Sequence, residues 1–179
     1  VCSSDLSEQA QLRAIQGILE HVAQYDGVNL DLEGLGLTQR GDALNAVRER
    51  FTAFVRRLDQ SLPAGKTLTL TLHAPNSQYR GYDYAALGAL ADRIIIMAYD
   101  YGPVPEPLDR VIEAVRLALA AVPADRLVLG VSLPHETEAS LPAKIGVAKR
   151  YGLEGIALWR LGLVSDAVWA TIDRMTDAR

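Results

Sequence analysis

Apolar positions recur along the chain with two alternating periods. A helical spacing fills Glu8 to Gln24, with Leu12, Ile15, Ile18, Leu19 and Val22 on one face. A strand follows over Gly27–Glu33. A second helix runs from about Gly41 to Ser61, with Leu44, Val47, Phe51, Phe54, Val55 and Leu58 at helical spacing, and Pro63-Ala-Gly65 closes it. Thr67–His73 reads as the next strand and Tyr84–Ala91 as a short helix. Then come a strand at Arg93–Asp100, a helix at Leu108–Val122 and a strand at Arg126–Leu133. The helix at Ala139–Tyr151 ends at Gly152, its expected C-terminal cap. The last strand is Gly155–Leu161 and the last helix Asp166–Met175.

A leading helix and five strand–helix units argue for a parallel α/β sheet. The interiors Ile94-Ile-Ile-Met97 and Leu127-Val-Leu129 are continuously apolar, as strands covered on both faces should be. Two architectures fit: an open doubly wound sheet and a closed (β/α)8 barrel. The spacing of about 31 residues per unit suits a barrel of ~250 residues but does not choose between them. No Gly-rich phosphate loop follows any strand, which disfavours an open-sheet nucleotide-binding domain.

Composition narrows the picture further. With 49% hydrophobic and 22% charged residues, the chain has globular proportions. A formal charge of −4 and a pI of about 5.4 provide no basic field for nucleic acid or an anionic membrane. No run approaches the ~20 apolar residues of a membrane-spanning helix. Cys2, the single cysteine, excludes an internal disulfide. The first six residues, Val1–Leu6, read as a non-native leader and are set aside. No metal-ligand cluster stands out, and no cofactor is expected.

The polar positions are more telling. Across the strand Gly27–Glu33, Val28, Leu30 and Leu32 share one face, and Asn29, Asp31 and Glu33 the other. Burying two carboxylates without partners costs several kcal/mol each, so a covered structural strand would avoid them. The competing reading is an amphipathic edge strand with a solvated polar face. Neighbouring carboxylates can raise one pKa, which suits a general acid. The strand Arg93–Asp100 turns polar at its C-terminal end, where parallel α/β folds build their sites. There Tyr99 and Asp100 are expected on the same rim as Glu33. His73 ends its strand on the face of Thr69 and Thr71, and could equally be a core histidine. Trp159 could be core, or an indole for stacking on a sugar.

Together these segments resemble glycoside hydrolase family 18, the chitinase-like (β/α)8 barrels. The family's fourth-strand motif D-x-x-D-x-D-x-E is matched by Asp26-x-x-Asn29-x-Asp31-x-Glu33, and M-x-Y-D by Met97-Ala-Tyr99-Asp100. The eighth-strand tryptophan is matched by Trp159. The closest likeness is to bacterial spore-germination and cell-wall enzymes, whose fourth strand commonly reads D-G-[IV]-N-[IL]-D-x-E. The resemblance implies a barrel present as strands four to eight, with residues 7–179 as that partial domain and the first three units missing. Two exposed sheet edges and poor activity of the fragment would follow.

The resemblance also implies a chemistry. Glu33 would protonate the glycosidic oxygen, and the substrate's own 2-acetamido oxygen would attack the anomeric carbon in a retaining mechanism. Asp31 and Tyr99 would hold the acetamido group. Asp26, Asn29, Met97, Asp100, His73 and Trp159 would bind substrate, with Trp159 as an apolar floor. Asn29 replaces an acid, which should leave Asp31 more readily ionised. The short Pro134–Ser140 segment implies a shallow cleft. The implied substrate is a β-1,4-linked N-acetylglucosamine glycan, in peptidoglycan or a chitin-like polymer. The implied setting is secreted or cell-envelope, for a monomer when full length. A chitinase-like lectin that binds glycan without turnover is the rival reading, disfavoured by the retained Glu33.

Overall fold

The computed structural model describes residues 7–177. The expected leader, Val1–Leu6 with Cys2, lies outside them. The elements in chain order are α1 (Glu8–Val22), β1 (Gly27–Asp31), α2 (Gly41–Ser61), β2 (Thr67–His73), α3 (Tyr84–Gly88), β3 (Arg93–Met97), α4 (Leu108–Leu119), β4 (Leu127–Ser132), α5 (Leu141–Arg150), β5 (Gly155–Trp159) and α6 (Asp166–Asp177). The sheet order follows the chain, β1-β2-β3-β4-β5. This is the alternating α/β pattern expected from the sequence.

The chain divides into two compact units, Val1–Ile94 and Ile95–Arg179. In the first, β1 pairs in parallel with β2, aligning Asn29 with Thr69 and Asp31 with Thr71. Helix α2 turns Val47, Phe51, Phe54, Val55 and Leu58 inward, the spacing of one apolar stripe. On α1 the Ser7 hydroxyl caps the amide of Ala10, and Gln11, Ile15 and Val22 are buried. Leu12, expected on the apolar face, is instead 54% exposed. Leu68, Leu70 and Leu72 complete this core.

In the second unit, β4 pairs in parallel with β5, from Val128 with Gly155 to Ser132 with Trp159. Every residue of β4 is buried, as its unbroken apolar run requires. Val111, Ala114, Val115 and Ala118 of α4 and Leu141 and Ile145 of α5 are buried too. Gly152 caps α5 with positive φ, and the amide of Leu153 reaches back to the carbonyl of Ala148.

Four strands stop short of their expected ends, β4 by one residue at Ser132 rather than Leu133. β1 ends at Asp31 rather than Glu33, and β5 at Trp159 rather than Leu161. β3 ends at Met97 rather than Asp100. There the amide of Ala98 turns to the carbonyl of Ile96, and Asp100 takes a left-handed backbone with φ 64°. The polar face of β1 is solvated, since Asn29 and Asp31 are exposed. Among the described strands β1 stands at one end of the sheet, and its exposed polar residues agree with the competing reading of a solvated face.

Candidate active site

The first unit brings four of the expected residues together. Asn29 and Asp31 project from β1, and Glu33 lies two residues beyond Asp31 in the segment leaving the strand. His73 ends β2. Thr71 donates its hydroxyl to Oδ1 of Asn29 at 3.1 Å, which fixes the amide across the strand pair. Nε2 of His73 stands 3.7 Å from Oε2 of Glu33. The His73 ring stacks on Tyr79 at 3.9 Å between centroids. Its own carbonyl accepts from the Tyr84 hydroxyl at 3.0 Å.

Asp31 as a residue is exposed, but its carboxyl is partly shielded from water, and that shielding is the largest influence raising its pKa above the ordinary 3.8. The charge of Glu33 adds to that rise, and His73 opposes it. The expectation that Asn29 would leave Asp31 readily ionised therefore meets a counter-effect. Removing one acidic neighbour leaves burial and Glu33 still disfavouring the charged form.

Two residues that the sequence analysis did not single out shape this site. Tyr82 is buried, donates its hydroxyl to the Leu32 carbonyl at 2.7 Å and packs edge-on against Phe51. Burial pushes its phenol well above its usual value, so it stays protonated as a donor. Gly81 allows the second contact. A Cβ there would lie 2.7 Å from the Leu35 carbonyl carbon and 2.9 Å from the Gly36 amide. Its amide instead bonds the Leu35 carbonyl at 3.0 Å. Both contacts hold the segment that carries Glu33. Asp26 is exposed just before β1, and its carbonyl accepts from the Thr67 amide at 3.0 Å.

The second unit holds the remaining candidates. Met97 is buried at the end of β3. Tyr99 is half-buried and Asp100 exposed. Gly130 leaves room for the Tyr99 ring, because a Cβ there would lie 3.3 Å from its Cε1 and 2.7 Å from the Ile96 carbonyl oxygen. Trp159 is 55% exposed at the end of β5, which makes it a surface indole rather than a core one.

Beside Asp100 lies a cluster the sequence did not reveal. The buried carboxylate of Glu106 accepts from the amides of Asp100, at 2.7 Å, and Tyr101, at 3.1 Å. Nδ1 of His135 lies 3.0 Å from Oε1 of Glu106 and 3.2 Å from Oδ1 of Asp100. These three side chains present donor atoms within 4.8 Å of one another, the spacing a cation needs. The hydrogen bonds among them and to the backbone already account for the grouping.

With the geometry described, comparison with known proteins identifies the family. Residues 7–135 match glycosyl hydrolases family 18. The chain belongs to that family. It is 30% identical over 156 residues to YdhD of Bacillus subtilis (strain 168), whose name proposes a sporulation-specific glycosylase role. That match covers 80% of this chain and 31% of YdhD. It is 29% identical over 122 residues to the cortical fragment-lytic enzyme of Bacillus anthracis, covering 62% of this chain and 28% of that protein. The chain thus spans under a third of the length of the curated relatives it matches, at 31% and 28%. The crystal structure of a chitinase from Chromobacterium violaceum superposes with a TM-score of 0.82 at 23% identity. It covers 97% of this chain and 74% of that one, so this family-18 chain has the fold of the chitinase barrels over the stretch it spans. Among the described residues, no helix is long and apolar enough to cross a membrane.

Proposed function

We propose that the chain is a glycosidase that cleaves β-1,4-linked N-acetylglucosamine glycans by substrate-assisted, retaining hydrolysis. The observation that carries this reading is the grouping of Asp31, Glu33 and His73 in a family-18 chain. Glu33, its side chain 60% exposed, is accessible to a glycosidic oxygen and serves as the general acid. The 2-acetamido oxygen of the substrate attacks the anomeric carbon as that proton transfers, the leaving sugar departs with its new hydroxyl, and an oxazolinium ion forms. Water then opens the ring while Glu33 takes back a proton, so the anomeric configuration is retained. Asp31 accepts from the acetamido N–H and stabilises the positive ring.

Tyr99 hydrogen-bonds the acetamido group in this reading, Asp100 binds substrate beside it, and Trp159 offers its indole face to the sugar. Asn29, fixed by Thr71, and His73 shape the acidic side of the site, and Asp26 contacts substrate at its margin. Residues 7–179 act as part of a family-18 barrel domain. The relatives' names favour a bacterial cell-wall polymer, and with it an extracytoplasmic setting.

The reading is tested with soluble N-acetylglucosamine oligosaccharides and with peptidoglycan, following products by proton NMR. Hydrolysis with initial release of the β-anomer supports it, as does indifference to glucose oligosaccharides that lack the acetamido group. Release of the α-anomer, or cleavage of glucose oligosaccharides at the same rate, would overturn the substrate-assisted mechanism. Oligosaccharide that is retained but not shortened would make the chain a lectin.

A further inference from the structure

We propose that Glu106 is a positioning residue for the hydrolysis, setting the orientation of Tyr99 and Asp100 through the backbone that follows β3. The inference rests on the reading that Tyr99 and Asp100 contact the sugar. The Glu106 side chain is only 1% exposed, yet it carries a carboxylate. A group of this kind is stable in such a place only when hydrogen bonds replace its water. Here both oxygens are used on one turn: Oε1 accepts from the Asp100 amide at 2.7 Å and Oε2 from the Tyr101 amide at 3.1 Å. Charge-assisted bonds of this kind are short and directional.

Asp100 needs such a hold. Its φ of 64° lies in the left-handed region, which a residue with a Cβ rarely adopts without support. The amide that donates to Oε1 belongs to that same residue. His135 ties the side chain to the clamp as well, with Nδ1 within reach of both Glu106 Oε1 and Asp100 Oδ1. Glu106 is itself fixed from behind. Its amide donates to the His135 carbonyl at 3.2 Å, and its carbonyl accepts from Nζ of Lys144 at 2.6 Å. Lys144 in turn pairs with Glu136 at 3.1 Å, both side chains being nearly inaccessible. The buried network therefore converges on a single turn, and that turn carries the Tyr-Asp pair of the family motif.

The test compares wild type with Glu106→Gln in the full chain, measuring kcat and KM on an N-acetylglucosamine oligosaccharide. Glutamine keeps the volume but sets an NH2 group against one backbone N–H. The expected result is a kcat lower by about tenfold with KM within about twofold, since loss of orientation acts on the transition state. Faster amide exchange at Asp100 and Tyr101 should accompany it. A folded Glu106→Gln with wild-type kcat overturns the proposal. If that variant does not fold, His135→Ala takes its place, since the half-exposed ring is easier to remove. A lower kcat at near-constant KM supports the proposal, and unchanged kinetics overturn it. A wild type that retains the oligosaccharide without shortening it would instead overturn the glycosidase reading, whereas an active wild type beside an equally active variant removes only the role of Glu106.

Discussion

His73, at the end of β2, brings its Nε2 to 3.7 Å from Oε2 of Glu33, in the segment just beyond β1. The pair stands beside Asp31, whose carboxyl is raised by burial and by Glu33 and lowered by His73. Glu33 disfavours the charge on Asp31 and His73 favours it, and with burial on the side of Glu33 the pH behaviour of Asp31 follows from these signs.

In the unfolded chain Asp31 loses its proton near 3.8, and in the folded protein it does so at higher pH. Over the interval between the two values the native state binds the extra proton, so stability falls as pH rises. Below the interval the effect is absent, and above it the loss is complete. Asp31→Asn removes this dependence. The melting temperature of the variant should gain on wild type as pH rises from 3.8 through the native value, then stay level. A difference that does not change with pH over that range would contradict the raised value. Hydrolysis by the same variant should fall steeply.

Gly81→Ala tests whether the segment carrying Glu33 is held by close backbone approach. The added Cβ meets backbone atoms of Leu35 and Gly36 at 2.7 and 2.9 Å, which cannot rotate away. A destabilisation of about 1–3 kcal/mol is expected from this overpacking, read by urea unfolding. A change within about 0.5 kcal/mol, the range of neutral surface substitutions, would mean that the segment shifts freely.

Lys144→Met leaves Glu136 with a buried carboxylate whose charged partner has gone. Breaking such a pair costs about 3–5 kcal/mol, whereas replacing both members by residues of similar volume is often neutral. The double variant Glu136→Gln with Lys144→Met should therefore recover most of the stability lost in the single one. Chemical denaturation of the three proteins checks this. Equal stability of the single and double variants would contradict it.

Trp159 is more than half exposed, so Trp159→Ala should alter stability by no more than about 0.5 kcal/mol. Its indole face is available for sugar stacking, and oligosaccharide affinity should weaken by about tenfold, or ~1.4 kcal/mol. Calorimetric titration separates the two effects. Unchanged affinity would remove Trp159 from the binding surface.

Much of the fold was legible because its signals are local. The apolar stripe of α2 and the alternation of β2 gave both elements their observed bounds, Gly41–Ser61 and Thr67–His73. The unbroken apolar run of β4 announced a covered strand. Strand ends were less legible. Apolar patterning does not reveal that the Ala98 amide folds back on Ile96, or that Asp100 turns left-handed. Along β1 the alternation correctly separated Asn29 and Asp31 from Leu30, and it left open whether their face was covered or was the solvated face of an edge strand.

The acidic candidates were legible from spacing alone, since two residues apart on a strand means one face. The partners that hold them were not. Tyr82 reaches the Leu32 carbonyl from beyond the next strand, and Glu106 reaches the turn after β3 from a segment that reads as a Pro-rich loop. Such contacts depend on where chain segments meet, which periodicity does not encode. The one available signal was chemical: Glu106, between Pro105 and Pro107 and just ahead of an amphipathic helix, is a charge in an otherwise uncharged stretch.

Whether Glu33 is the proton donor for glycan hydrolysis is decided by Glu33→Gln. The amide keeps the size of the side chain and cannot donate a proton in the same way. Its accessible position predicts an unchanged melting temperature and unchanged oligosaccharide affinity. With those held, the account predicts that kcat on N-acetylglucosamine oligosaccharides falls by at least about 100-fold, the usual contribution of general acid catalysis. A folded, glycan-binding Glu33→Gln protein that hydrolyses at the wild-type rate would contradict the account.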